Sequence, residues 1–237
     1  MLSRDQLIRI RDQTKPQPLA RSVRKTLFKY NLWCPSSKRT LSLKSAGKTT
    51  TSPVSKGGLL NARSINGKEH SIYELIVDNS LDFLALTETW CSEKSSVSLG
   101  LITPPGYSIQ LTNRVSRGGG VALIHRDSYR SSLVKSPTYS SFEHQTVSLK
   151  HNSDTIWITT VYVPKGIFSS AFSTEICDLL GHLQAQPGKH VIVGDFNFHV
   201  NDISDTAANK FKILLDQYNL VQHVAKPTHI NGNTLEL

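Results

Sequence analysis

The sequence predicts a layered α/β domain, and three observations carry that prediction. Short runs of apolar residues have strand length: Phe83-Leu84-Ala85-Leu86, Val121-Ala122-Leu123-Ile124 and Val191-Ile192-Val193. Between such runs lie stretches with helical spacing, such as Ile72, Leu75 and Ile76. Several of the strand runs end abruptly on a polar side chain. Continuous apolar runs suit strands covered on both faces, which requires helices packed outside the sheet.

The elements follow in order. Residues 1–56 mix Ser, Thr, Pro, Lys and Arg and read as a basic, mostly disordered tail, with short helices around 3–12 and 19–30. Ala46-Gly47-Lys48-Thr49 has the look of the end of a phosphate-binding loop, but Ser42 stands where its first glycine belongs and no apolar strand precedes it. The folded domain spans 57–237. Its first strand, Leu59-Leu60, ends at Asn61 and is weakened by Gly57-Gly58 where apolar residues are wanted. An amphipathic helix is predicted over 68–79, a buried strand over 83–88, and a Ser/Gly/Pro-rich loop over 91–106. Another strand covers 120–124. Strands over 143–150 and 155–163 pair antiparallel through a turn at His151-Asn152-Ser153-Asp154. A helix over 170–185, a fully buried strand over 190–193 and a helix over 205–219 follow, and residues 228–237 begin a further strand. No internal repeat is visible.

Charge is divided unevenly along the chain. The net formal charge is +9, yet residues 1–56 hold 13 Lys and Arg against 2 Asp, a net of +11, and the remainder is net −2. The basic character therefore belongs to the tail, which is either an anchor for a polyanion or a solvated linker. Cys34, Cys91 and Cys177 are odd in number and far apart, without disulfide or metal spacing. No apolar run approaches the roughly 20 residues of a membrane span, and the N-terminus lacks an apolar signal core. These features predict an intracellular protein with no membrane and no disulfide partner, nuclear if it acts on DNA and cytoplasmic otherwise.

Four strand ends carry polar side chains that packing does not require. Asn61 follows Leu59-Leu60, Glu88 follows Leu84–Leu86, Tyr162 closes Thr160-Val161-Tyr162, and Asp195 and Asn197 follow Val191–Val193. Each alone has an ordinary explanation: a solvated loop glutamate, a turn aspartate, a turn asparagine, a half-buried strand tyrosine. Their recurrence at strand ends points instead to a ligand site on a rigid scaffold. The residue types suit phosphodiester hydrolysis, which needs a cation, a group to activate or orient water, and donors for phosphoryl oxygens. Glu88 is a hard oxygen ligand for Mg²⁺. Asp195 accepts a proton from water or holds it in line. Asn197 faces the same side if the backbone stays extended, and Asn61 and Tyr162 donate to phosphate oxygens.

The ordered segments Leu60-Asn61-Ala62-Arg63-Ser64, Leu86-Thr87-Glu88-Thr89-Trp90, Arg117-Gly118-Gly119-Gly120-Val121-Ala122, Val161-Tyr162-Val163-Pro164 and Val193-Gly194-Asp195-Phe196-Asn197 resemble the endonuclease/exonuclease/phosphatase superfamily. Thr89-Trp90, the glycine triplet, Lys226-Pro227-Thr228-His229 and Gly232-Asn233-Thr234-Leu235 narrow the resemblance to the apurinic-endonuclease-like domain of non-long-terminal-repeat retrotransposons, where it accompanies a reverse transcriptase. The resemblance covers about 59–237. It implies a four-layer αββα sandwich of two mixed β-sheets flanked by helices, Mg²⁺ or Mn²⁺ as cofactor, and nicking of double-stranded DNA. By position, Asn61 and Glu88 match the family's metal-side residues, Tyr162 its phosphate-binding tyrosine, and Asp195 and Asn197 its nucleophile-orienting pair.

Two departures accompany the match. Glu236 stands where the family has an aspartate, and the family's final Ser-Asp-His would fall beyond Leu237. The resemblance thus implies a domain lacking its last strands and weak or inactive as it stands, with an opened sheet edge. His199 and His229, with Thr228 beside the latter, are the nearest substitutes for the absent histidine. Two alternatives stay open: a non-catalytic nucleic-acid-binding remnant driven by the tail, and a phosphatase or lipid phosphodiesterase of the same superfamily.

Overall fold

The computed structural model describes residues 41–42, 55–92, 95–113, 118–164, 167–224, 227–228 and 234–235. The helices expected near 3–12 and 19–30, and the positions of Glu236 and His229, lie outside the described residues.

Two mixed β-sheets form the centre. The first has the order β1-β2-β3-β5-β4, built from β1 (Leu41–Ser42), β2 (Lys56–Asn61), β3 (Phe83–Thr87), β4 (Tyr107–Thr112) and β5 (Val121–Arg126). The second has the order β6-β7-β8-β9, from β6 (Arg130–Leu133), β7 (Glu143–His151), β8 (Asp154–Tyr162) and β9 (Lys189–Asp195). All strands of the first sheet precede those of the second, so the chain passes from one sheet to the other through 127–129. Helices α1 (Glu69–Asp78) and α2 (Ser96–Ile102) belong to the first half, and α3 (Ser170–Gln184) and α4 (Thr206–Gln217) to the second.

Each sheet contains one parallel pair, β2 with β3 and β8 with β9. Parallel neighbours need a crossover, and α1 and α3 supply the two. The chain therefore holds two β-α-β units, a repetition in space that no repeat in the sequence announces. Parallel strands run the same way, so each unit brings two strand C-termini to one end: Asn61 stands beside Thr87 and Tyr162 beside Asp195.

Side-chain alternation assigns the layers. Phe83, Ala85, Leu123, Val147, Ile158 and Val193 meet between the sheets. Leu84, Leu86, Ala122 and Ile124 point the other way and pack with Ile72 and Ile76 of α1. On the far side, Phe172, Ile176 and Leu180 of α3 and Phe211 of α4 pack with Val161 and Phe196. Helix, sheet, sheet and helix follow one another, as the resemblance implied.

Three expectations change, and one strand is added. Residues 91–106 are not simply loop: α2 forms there, burying Ile102 and half-burying Leu99 against the α1 layer. Tyr107–Thr112 is a strand, paired antiparallel with β5 throughout its length. The strand at 190–193 is half-buried over His190–Ile192 and fully buried only from Val193. Gly57 and Gly58 are not a weakness. The Phe83 ring occupies the space over Gly57, where a Cβ would lie 2.1 Å from it, and Gly58 faces Leu81 and Leu84. The apolar surface that β2 lacks is provided by its neighbour.

Helix ends explain several polar residues. Ser169 accepts from the Phe172 amide at 3.0 Å to cap α3, and Asp205 accepts from the Ala208 amide at 2.9 Å to cap α4. Beyond α4, the carbonyls of Leu235 and Thr234 accept from the amides of Phe196 (3.0 Å) and Val200 (3.1 Å), so this segment returns alongside the end of β9. Among the described residues no helix is long and apolar enough to cross a membrane, and Cys91 and Cys177 are free thiols.

Candidate active site

Counting inward-facing positions along each strand leads to one place. Phe83 and Ala85 are followed by Thr87; Val191 and Val193 by Asp195; Ile156, Ile158 and Thr160 by Tyr162; Gly57 and Leu59 by Asn61. The polar strand ends are thus the last members of the inter-sheet rows, and they close that layer at one end.

Asn61 joins the two sheets. Its Nδ2 donates to Glu88 Oε1 at 2.8 Å and to Asp195 Oδ2 at 2.6 Å, while its Oδ1 accepts from the Arg63 amide at 3.1 Å. Asp195 is 4 % exposed. Burial raises its pKa above the usual carboxylate value, Glu88 adds to that, and the bonds from Asn61 and the Asn197 amide pull against it. Tyr162 is half-buried beside Glu88. Burial first, then the charges of Glu88, Asp195 and Glu143, push its hydroxyl well above the ordinary phenol range. It is a donor at any physiological pH.

Asn197 arrives differently from the expectation of an extended backbone. Its φ is 54°, the left-handed region in which asparagine is tolerated. Its amide N–H donates to Asp195 Oδ1 at 3.2 Å and its side-chain Nδ2 to the Val163 carbonyl at 2.9 Å. The residue therefore holds Asp195 in place and ties β9 to the end of β8.

Glu88 has a φ of 51°, which costs energy for a residue with a Cβ. Backbone bonds on both sides hold it there. The carbonyls of Thr87, Glu88 and Thr89 accept from Ala62, Ser64 and Ile65, and the amides of Thr89 and Trp90 donate to Gly120 and Gly119. Trp90 also has a φ of 51° and remains 45 % exposed beside the site.

The sequence reading passed over three residues here. Lys68 donates from Nζ to the carbonyls of Ala62 and Arg63, fixing the turn after Asn61; burial and then Arg63 lower its pKa, and Glu88 opposes them. Arg63 is exposed beside this turn and favours the charged form of Asp195. Glu143 opens β7 directly opposite Tyr162. A register count from Tyr162 across the antiparallel pair was the signal that could have found it.

Of the secondary candidates, Thr228 accepts from the Leu235 amide at 2.8 Å, a bond within the returning segment. His199 places Nδ1 3.1 Å from Asp205, the α4 cap, which gives it a structural partner there.

Among the described residues no group of three His, Cys, Asp or Glu side chains is placed to hold a metal ion. The donors nevertheless suit Mg²⁺, which takes one or two carboxylates and completes its shell with water and phosphate oxygens. Two carboxylates, Glu88 and Asp195, already converge on a single atom, the Asn61 amide nitrogen.

The chain matches the Endonuclease/Exonuclease/phosphatase family over residues 58–232. It belongs to that family. The endonuclease domain of TRAS1, a telomere-specific non-LTR retrotransposon, is similar in fold, with a TM-score of 0.57 at 11% identity over 76% of this chain and 80% of that one. The human Nocturnin catalytic domain with bound sulfate gives a TM-score of 0.49 at 18% identity over 75% of this chain and 78% of that one. An AP endonuclease from Archaeoglobus fulgidus gives 0.47 at 19% identity over 68% and 69%. A comparison with curated proteins gives no match.

Proposed function

We propose that this member of the Endonuclease/Exonuclease/phosphatase family hydrolyses phosphodiester bonds in double-stranded DNA with the help of Mg²⁺ or Mn²⁺, nicking one strand. The observation that carries the reading is Asn61 bridging Glu88 and Asp195 from opposite sheets. Glu88 would hold the cation, with Asn61 on the same side orienting the Glu88 carboxylate through Nδ2. A cation bound there would neutralise charge developing on the phosphoryl oxygens.

The protein's own groups supply the rest. Asp195, buried and with a raised pKa, accepts a proton from water at its carboxylate. The Asn197 amide keeps that carboxylate from rotating. Tyr162, held protonated, donates to a phosphoryl oxygen. DNA is favoured over a small phosphate ester by the +11 charge of residues 1–56 and by the fold shared with the TRAS1 endonuclease domain.

The test is nicking of supercoiled plasmid with Mg²⁺, beside turnover of an abasic duplex, a plain duplex and an inositol phosphate. Relaxed circles that require the cation and vanish in Asp195→Ala and Glu88→Ala support the reading. Turnover confined to the inositol phosphate would replace it with a phosphatase. Cation-independent DNA binding without any turnover would leave a nucleic-acid-binding remnant.

A further inference from the structure

Among the described residues, Glu143 is the carboxylate at this end of the inter-sheet layer to which the preceding reaction gives no work. It opens β7 opposite Tyr162, close enough to contribute to the rise in that hydroxyl's pKa. Its Oε2 accepts from the backbone amide of Gly120 at 2.5 Å, the short charge-assisted kind of hydrogen bond.

Gly120 is no ordinary partner. Gly118, Gly119 and Gly120 have φ values of 86°, 70° and 86°. A Cβ on Gly120 would lie 2.5 Å from Thr89 Oγ1. Three successive glycines give this segment the greatest freedom to lose on folding, so it takes one position only if something grips it. The segment is also the support for the turn that carries Glu88. The carbonyl of Gly120 accepts from the Thr89 amide at 3.2 Å and that of Gly119 from the Trp90 amide at 2.9 Å. On its other side the turn is held by the amides of Ser64 and Ile65. Glu88 sits between these two supports with its backbone in the left-handed region.

We infer that Glu143 is a positioning residue: it clamps the Gly118–Gly120 segment through the Gly120 amide, and thereby fixes where the Glu88 carboxylate stands. The inference rests on the cation-binding role given to Glu88 above. It assigns Glu143 no contact with substrate or cation. What the Gly120 amide needs is an acceptor oxygen at the end of a side chain of this length, and the charge strengthens the bond.

Glutamine keeps that oxygen and length; alanine loses both. In the full chain, amide hydrogen exchange over 87–91 and 118–120 should be roughly tenfold faster in Glu143→Ala, the worth of one hydrogen bond to a charged group. Exchange in Glu143→Gln should be only about threefold faster than in the parent, because a neutral acceptor retains roughly half of a charge-assisted bond. Mn²⁺ affinity without substrate, read from the free-ion electron paramagnetic resonance signal, should weaken in the same pattern, with Glu88→Ala as the control. Unchanged exchange in Glu143→Ala overturns the inference. So does Glu143→Gln behaving like Glu143→Ala, which would mean that charge, not acceptor geometry, is what Glu143 contributes. If Glu143→Ala does not fold, Glu143→Leu, which keeps the bulk and lacks the acceptor, takes its place: a roughly tenfold increase supports the clamp, and parent-like exchange overturns it. Failure of the parent chain to bind Mn²⁺ would instead sink the cation reading of Glu88, and the exchange rates would still decide the clamp.

Discussion

Asp195 meets two opposed demands. It is buried against Asn61 and Glu88, and burial raises its pKa, so the folded state disfavours the charged form that accepts a proton. Because the folded pKa lies above the unfolded one, the group costs stability once pH exceeds the unfolded value, and it costs nothing well below that value. Asp195→Asn removes the charge but sets an amide nitrogen against a donor, Asn61 Nδ2 or the Asn197 N–H, so it should lower turnover by roughly 10²- to 10⁴-fold and remove this group's share of the pH dependence of stability. Calorimetry over a pH series beside a nicking assay checks both. Turnover in the parent should climb with pH along an acid limb lying above the ordinary aspartate value, and Tyr162→Phe should weaken activity without moving that limb. The site was legible where a strand run broke on a polar residue, as at Glu88 and Asp195. Glu143 was not, because a glutamate opening a strand that alternates polar and apolar residues looks like any solvated strand residue. Nor could the chain reveal that Asn61 meets Asp195, 134 positions away; that contact exists only once two sheets dock.

At the scale of the element, close approach of backbones decides what is tolerated. A Cβ on Gly194 would lie 2.1 Å from the Val161 carbonyl oxygen and 2.9 Å from its carbon. Neither backbone atom has room to give, since β8 and β9 are paired there. Gly194→Ala should cost about 3 kcal/mol or more, seen as a lower midpoint in denaturant. β7 offers a titration. His144 contacts Tyr139 and Phe142, bonds Ser136 through Nε2 at 2.7 Å, and is held by burial at a pKa of about 4. The unfolded chain takes up this proton near 6.5. Stability from this residue should thus be complete above that value and fall as pH drops from 6.5 towards 4. Thermal melts across that window, compared with His144→Gln, should show the slope flattened in the variant. Strands such as β3 and β5 could be read because their apolar runs are continuous. β4 could have been, since Ile109 and Leu111 alternate with polar residues, but Ser, Gly and Pro upstream drew attention to loop. β6 could not: among its four residues, Arg130, Ser132 and Leu133 are exposed.

For the whole molecule, charge and architecture separate. The layers are built by a body of net charge −2, while the basic residues lie ahead of it. Removing residues 1–40, with a net charge of +8, should weaken DNA binding and flatten the dependence of log Kd on log salt, while leaving turnover of a short duplex at saturating concentration unchanged. Fluorescence anisotropy over a salt series measures the first, and a slope unchanged by the deletion would reduce the tail to a linker. The four-layer arrangement was accessible from the sequence only through the family resemblance, since alternating strands and helices fit several layered folds equally well.

The passage through 127–129 has a consequence for how the activity could be divided. Asn61 and Glu88 come from the stretch before it; Glu143, Tyr162, Asp195 and Asn197 come from the stretch after it. Each stretch carries one sheet, its helices and part of the candidate site, and neither carries the whole set. Severed at that link, the protein should become a two-piece switch under the proposed activity, silent in either fragment and restored only when the faces of the two sheets find one another.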